Sequence, residues 1–152
     1  MAHDAELPTG IQLGVSNSQM IWRGLALRCP ACAGRRVIIG WFKIADRCPT
    51  CDLRIERIEG HVIGYIDLNI MVCFTLTFIV LLVGSTLMIP DIQVGLLLIL
   101  ALIPAAIGPI AFAPGSRTTW TAIDLILRPL TAGEIDPRFV VVDPARDRPP
   151  PS

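Results

Sequence analysis

The residues best suited to chemistry are four cysteines in two pairs, Cys29-Pro30-Ala31-Cys32 and Cys48-Pro49-Thr50-Cys51, separated by Ala33 to Arg47. A two-residue gap lets both sulfurs of one turn reach a single ion, and a second such turn completes a tetrahedron of thiolates. The spacing predicts that Cys29, Cys32, Cys48 and Cys51 are metal ligands. Structural Zn2+ is the first expectation; tetrathiolate iron shares its geometry, and transient copper or a redox dithiol are the remaining readings. A redox pair needs a thioredoxin-like βαβ setting, which this stretch lacks, and disulfides are disfavoured in a reducing cytoplasm. Four thiolates on a divalent ion leave about two negative charges, which arginines near the knuckles would partly offset. Arg28, Arg35, Arg36 and Arg47 are placed for this. Such a site is closed, so no metal-assisted hydrolysis is expected.

The elements that must position these sulfurs are short. Val37 to Ile44 is β-rich and long enough to fold one knuckle onto the other, and Leu53 to Ile58 reads as a short strand. Residues 23–60 are thus expected to form a zinc-ribbon-like β module. Residues 1–22, mixing Gly, Ser, Asn and Pro, read as a flexible tail with Ile21-Trp22 as a first anchor.

Everything else is organised by two apolar runs, Leu68 to Ile89 and Val94 to Phe112, interrupted by Pro90-Asp91-Ile92-Gln93. As helices they reach about 33 Å and about 28 Å, against a bilayer core of roughly 30 Å. The expected fold is a mainly α membrane protein: a two-helix transmembrane hairpin over residues 66–90 and 93–113, carrying the cysteine module. Pro104 and Pro109 should distort the second helix, and Ala101, Ala105 and Gly108 offer a small-residue seam. Residues 117–130 read as an amphipathic interfacial helix with Trp120, Ile123, Ile126, Leu127 and Leu130 on one face. Residues 131–152, rich in Pro, read as a disordered tail with one sticky segment, Phe139-Val140-Val141-Val142.

The chain has zero formal net charge, which gives no case for a nucleic-acid partner. Its cations are unevenly placed: eight of the 13 Lys+Arg precede the first apolar run and none lies between the runs. The positive-inside rule then puts both termini in the cytoplasm, and the first residues do not resemble a cleaved signal peptide. The bilayer itself is the first expected partner. Among other residues, Asp67 is expected at the headgroup edge and Asn69 lies beside it. His61 reads as a surface residue, and Cys73 as a small apolar side chain. Trp22 and Trp120 read as interface anchors, and Trp41 as packing over the knuckles. Thr75, Thr77, Ser85 and Thr86 can bond their own helix backbone. No nucleophile–base pair, phosphate loop or carboxylate dyad is apparent, so neither an enzyme nor a small-molecule substrate is predicted.

The order Arg23-Gly24, Cys-Pro-x-Cys, an apolar stretch, Phe42-Lys43-Ile44-Ala45-Asp46-Arg47-Cys48-Pro49-Thr50-Cys51 and then a membrane hairpin resembles a bacterial family, domain of unknown function 983. The resemblance covers roughly Arg23 to Arg128. In that family each knuckle is commonly followed by Gly; here Ala33 and Asp52 hold those positions. The resemblance implies the bacterial cytoplasmic (inner) membrane. Its genes often lie near those of haem–copper cytochrome c oxidase, so it also implies an accessory, assembly or small-subunit role among membrane proteins of the respiratory chain. Membrane-bound metal handling and a rubredoxin-like redox role are the alternatives.

Overall fold

An apolar helix needs its backbone satisfied internally and its side chains placed against something equally apolar, and two helices here are built almost wholly of such residues. In a computed structural model that describes residues 7–57, 60–131 and 133–142, α3 spans His61–Leu87. A second apolar rod comprises α4 (Val94–Leu102), a π turn (Ile103–Ile107) and α5 (Gly108–Leu127). Both rods are long and apolar enough to cross a membrane. Only 6% of the most apolar stretch of each is buried, so Phe74, Phe78, Leu82 and Leu98 point outward and not into a protein core. The expected break at Pro90 to Gln93 is present, between α3 and α4.

The distortion expected from the prolines is the π turn, which contains Pro104 and closes with the Gly108 N–H on the Ile103 carbonyl. Small residues let the rods approach: a Cβ on Gly108 would lie 3.1 Å from Cys73 Sγ, and one on Gly64 would overlap the Trp120 ring. Ala101 is buried, whereas Ala105 is exposed and takes no part in the seam.

The N-terminal part differs from expectation. Within residues 7–22, expected as a tail, α1 (Thr9–Leu13) ends on Gly14 at φ 63°, and α2 (Asn17–Leu25) follows at once. Ser16 caps α2 by accepting from the Gln19 N–H, and the Gln19 side chain accepts from the Ser16 N–H. This reciprocal box satisfies two donors that would otherwise be orphaned. Met20 and Gly24 form the buried face of α2. At Gly24 the backbones nearly touch; a Cβ there would sit 2.8 Å from the Thr118 carbonyl oxygen, and Thr118 Oγ1 donates to the Gly24 carbonyl at 2.7 Å.

The β character of residues 37–44 is confirmed as a two-stranded antiparallel hairpin, β1 (Ile38–Gly40) and β2 (Lys43–Ile44). Leu53 to Arg57 is not a strand; Leu53 and Ile55 are fully buried, with a single bridge between Arg47 and Arg54. The separate interfacial helix is also corrected. Helix α5 runs through Pro114 without a break, and its buried face carries Thr118, Thr121 and Asp124, while Leu127 is exposed. Those polar groups are turned inward because the cysteine module supplies their partners.

The tail expected over residues 131–152 is ordered in its described part. Gln12 exchanges side-chain hydrogen bonds with the Leu130 backbone, and its own carbonyl accepts from Val141 at 2.7 Å. Ile135 is buried, and Asp136 donates its N–H to the Cys51 carbonyl at 2.9 Å. Residues 1–6, with His3, and 143–152 lie outside the described residues.

Candidate metal centre

The two knuckles fold alike. In the first, Ala33 N–H donates to the Cys29 carbonyl and Cys29 N–H to the Gly34 carbonyl, both at 2.9 Å. In the second, Asp52 N–H donates to the Cys48 carbonyl at 2.9 Å and Cys48 N–H to the Leu53 carbonyl at 2.8 Å. Closing each turn requires a left-handed residue after the second cysteine, and Ala33 (φ 62°) and Asp52 (φ 59°) supply it. Neither position holds Gly, the residue that takes this conformation without steric cost, yet both adopt it. Ala33 bears the steric cost of that region in full, whereas Asp is one of the side chains that tolerate it. The Asp52 carboxylate is paired with Arg47 at 3.0 Å.

The hairpin brings the knuckles face to face, and the four sulfurs lie within 4.8 Å of one another. Across the cluster, Cys29 and Cys51 are 3.7 Å apart and Cys32 and Cys48 3.6 Å. A regular tetrahedron of thiolates about 2.3 Å from zinc has edges of about 3.8 Å. The sulfurs are therefore pre-spaced for a single four-coordinate ion, and all five cysteines are free of disulfides. Cys29, Cys48 and Cys51 are buried, and Cys32 is part-exposed at the rim.

As thiols the four divide their protons unequally. The hydrogen bond from Cys29 holds Cys32 well below the ordinary thiol range, and hydrogen bonding to Cys32, with burial, pushes Cys29 far above it. Four sulfurs at this spacing carry four negative charges together only with a cation between them. The Gly34 N–H, 3.4 Å from Cys32 Sγ, adds a donor aimed at the cluster. The donor set fits zinc, and equally other ions that accept four thiolates.

Of the four arginines expected to offset the cluster's charge, Arg47 supports the knuckle backbone, as does Arg23, which is not among them. Arg23 donates to the Pro30 and Ala31 carbonyls at 3.2 and 2.8 Å, and Arg47 to the Asp52 carbonyl at 3.2 Å.

Around this centre lie groups that residue types alone did not reveal. Arg57, with 6% of its side chain exposed, uses all five N–H donors. Glu134 takes two of them at 2.6 and 2.8 Å, Asp124 one at 3.1 Å, and the Arg128 and Pro129 carbonyls one each. Burial pushes Glu134 up, but hydrogen bonds from Arg57 and Thr131 outweigh it and hold the carboxyl below its ordinary range. This latch joins the segment after the second knuckle to the end of α5 and to the C-terminal segment.

Trp41 does not pack over the knuckles. Its indole N–H donates at 2.8 Å to the Ile110 carbonyl, the group that Pro114 leaves without its helical partner. Arg117 ties the same hairpin turn down, donating to the Phe42 carbonyl at 2.9 Å and to Tyr65 Oη at 3.2 Å, with its guanidinium over the Tyr65 ring.

His61 is buried, not at the surface, and neither ring nitrogen has a partner among the described residues. Trp120 is packed against Gly64 and is not a free anchor, whereas Trp22 is exposed. Asp67 is exposed; Asn69 donates to the Pro109 carbonyl at 3.0 Å and accepts from Cys73 Sγ. Thr75, Thr77, Ser85 and Thr86 each bond their own helix. Comparison with known proteins finds no matching family model, no matching curated protein and no matching solved structure.

Proposed function

We propose that the chain is a non-enzymatic integral membrane protein whose four-cysteine module binds structural Zn2+ and presents a docking surface for other membrane proteins. The observation that carries this reading is the pairing of a closed tetrathiolate cluster with two apolar rods whose side chains point outward. Zinc is preferred to iron because a site that only has to hold a fold needs no redox chemistry. The rods would span the inner membrane of a bacterium as a hairpin. The arginine excess on the module's side of the sequence would then place both termini in the cytoplasm. Resemblance to domain of unknown function 983 makes haem–copper cytochrome c oxidase the proposed partner, with this chain as an accessory, assembly or small subunit.

The test is mild-detergent purification of the tagged full chain from the cells that make it. Stoichiometric oxidase subunits with haem absorbance are the expected result for a resident subunit. Substoichiometric oxidase or maturation proteins indicate an assembly factor, and no respiratory protein at all overturns the oxidase assignment. Cys48→Ser should lose both metal and partner; partner capture that survives metal loss removes the docking role of the module.

Metal handling is the second reading, favoured by one observation: Cys32 is part-exposed while its three companions are buried. It requires an exchangeable ion, so zinc that resists chelators would dispose of it.

A further inference from the structure

The tip of the β1–β2 hairpin is one of the places where the cysteine module meets the apolar rods, and its exposed side chains are mostly apolar. Ile39 (65% exposed), Trp41 (59%) and Phe42 (63%) are all exposed at the turn. A tip that merely reached into water would leave three large apolar side chains uncovered within four residues. Its height along the rods is fixed by two contacts. Trp41 donates to the Ile110 carbonyl, and Arg117 holds the Phe42 carbonyl. Ile110 lies about 24 Å along the rod from Val94, at about 1.5 Å per residue, whereas an apolar core of about 30 Å extends to about position 114. Tilting the rod carries Ile110 deeper. On α3 the same level is marked by Asn69, which bonds the Pro109 carbonyl. Exposed Asp67 lies just outside it.

We propose that this hairpin tip is immersed in the bilayer at the boundary between headgroups and acyl chains, with lipid covering Ile39, Trp41 and Phe42. The inference rests on the membrane-spanning reading of the two rods and adds that the cysteine module is partly embedded. Three further features fit a lipid occupant better than a protein one. Trp carries a polar edge on an apolar body, and here that edge is turned inward onto a helix carbonyl, leaving the apolar body outward. Lys43, exposed beside the tip, can lay its stem along apolar surface and raise its ammonium to anionic headgroups. At the same height, Leu27 lies beside Gly115 and is itself 40% exposed, so the apolar surface of the rods continues onto the module.

The test is tryptophan quenching in the zinc-loaded full chain, reconstituted in phosphatidylcholine–phosphatidylglycerol vesicles with bromines placed shallow or deep on the acyl chains. Trp22→Phe with Trp120→Phe leaves Trp41 as the sole reporter. Phe78→Trp, placed on exposed mid-α3 in a background lacking the three native tryptophans, reports on the span itself. Trp41 should lose about half its fluorescence to shallow bromines, less to deep ones, and little to aqueous iodide. The Phe78→Trp reporter should respond most to deep bromines. If that reporter is quenched while Trp41 answers only to iodide, the span stands and the immersed tip is overturned. Trp41 shielded from both quenchers means that protein covers it, which also overturns the proposal. A mid-α3 reporter untouched by bromine would refute the span, and the immersed tip with it.

Discussion

At the scale of single residues, the two knuckles owe their shape to Ala33 and Asp52, both left-handed. A Cβ in that region costs roughly 1–2 kcal/mol, which Gly avoids while giving back part of the gain as chain entropy. Ala33→Gly is therefore expected to tighten metal retention by up to about 1 kcal/mol, about fivefold in a chelator competition. Arg57 is the opposite case, since every donor it owns is used. Removing it leaves the buried Asp124 carboxylate only the distant Arg128 at 3.9 Å and Glu134 only the Thr131 donors, and Arg57→Ala should cost about 3–5 kcal/mol. Arg57→Lys should recover little of that loss, because an ammonium cannot reproduce a planar fork. Denaturant titration of the zinc-loaded protein in detergent, read by metal release, gives both values; a Lys variant equal to wild type would contradict the geometric account.

At the scale of elements, the proline in α5 and the tryptophan of the hairpin are a matched pair. Pro114 removes the donor that the Ile110 carbonyl needs, and Trp41 provides another. Left unpaired in an apolar setting, such a carbonyl costs about 1–3 kcal/mol, so Trp41→Phe should destabilise docking of the hairpin by about that amount. In a Pro114→Ala background the helix supplies its own N–H, and the same Trp41→Phe change should cost clearly less. A double-mutant cycle on hairpin protection against proteolysis measures the difference; additive effects would show that the two residues are not coupled. The same economy explains the unbroken α5. The polar side chains Thr118, Thr121 and Asp124 face inward to Gly24, Ile55 and Arg57.

At the scale of the whole molecule, the C-terminal segment, the cysteine module and α5 are held as one unit through Glu134, Gln12 and the Cys51 carbonyl. Glu134 titrates below its ordinary range, so its contribution is fully present above its unfolded-state value and lost as pH falls through the depressed folded-state value. Acidification should therefore release the C-terminal segment, and Glu134→Gln should weaken its attachment already at neutral pH. Hydrogen-exchange protection of the Asp136 and Val141 amides, corrected for intrinsic rates, reports this. Protection that rises on acidification would contradict it. Thiolate ligands also gain protons in acid, so metal release followed in parallel separates the two effects.

The amino-acid sequence by itself determined the four sulfurs, the β character between them and the two apolar rods, because each is a local property: ligand type and spacing, strand propensity, uninterrupted hydrophobicity. Helix α2 was equally legible in Ser16-Asn17-Ser18-Gln19, a capping box, although the surrounding polar composition suggests a tail. Only the tertiary structure decided what the polar groups of residues 117–130 face, where Trp41 goes, and that the segment around Ile135 belongs to the core. Periodicity cannot reveal these, because it records which residues share a face and not which distant backbone is waiting there. Arg57 finds Glu134 across 77 positions, and Trp41 finds Ile110 across 69. Pairings that distant are set by the packing of the module on the rods, and no local pattern encodes them.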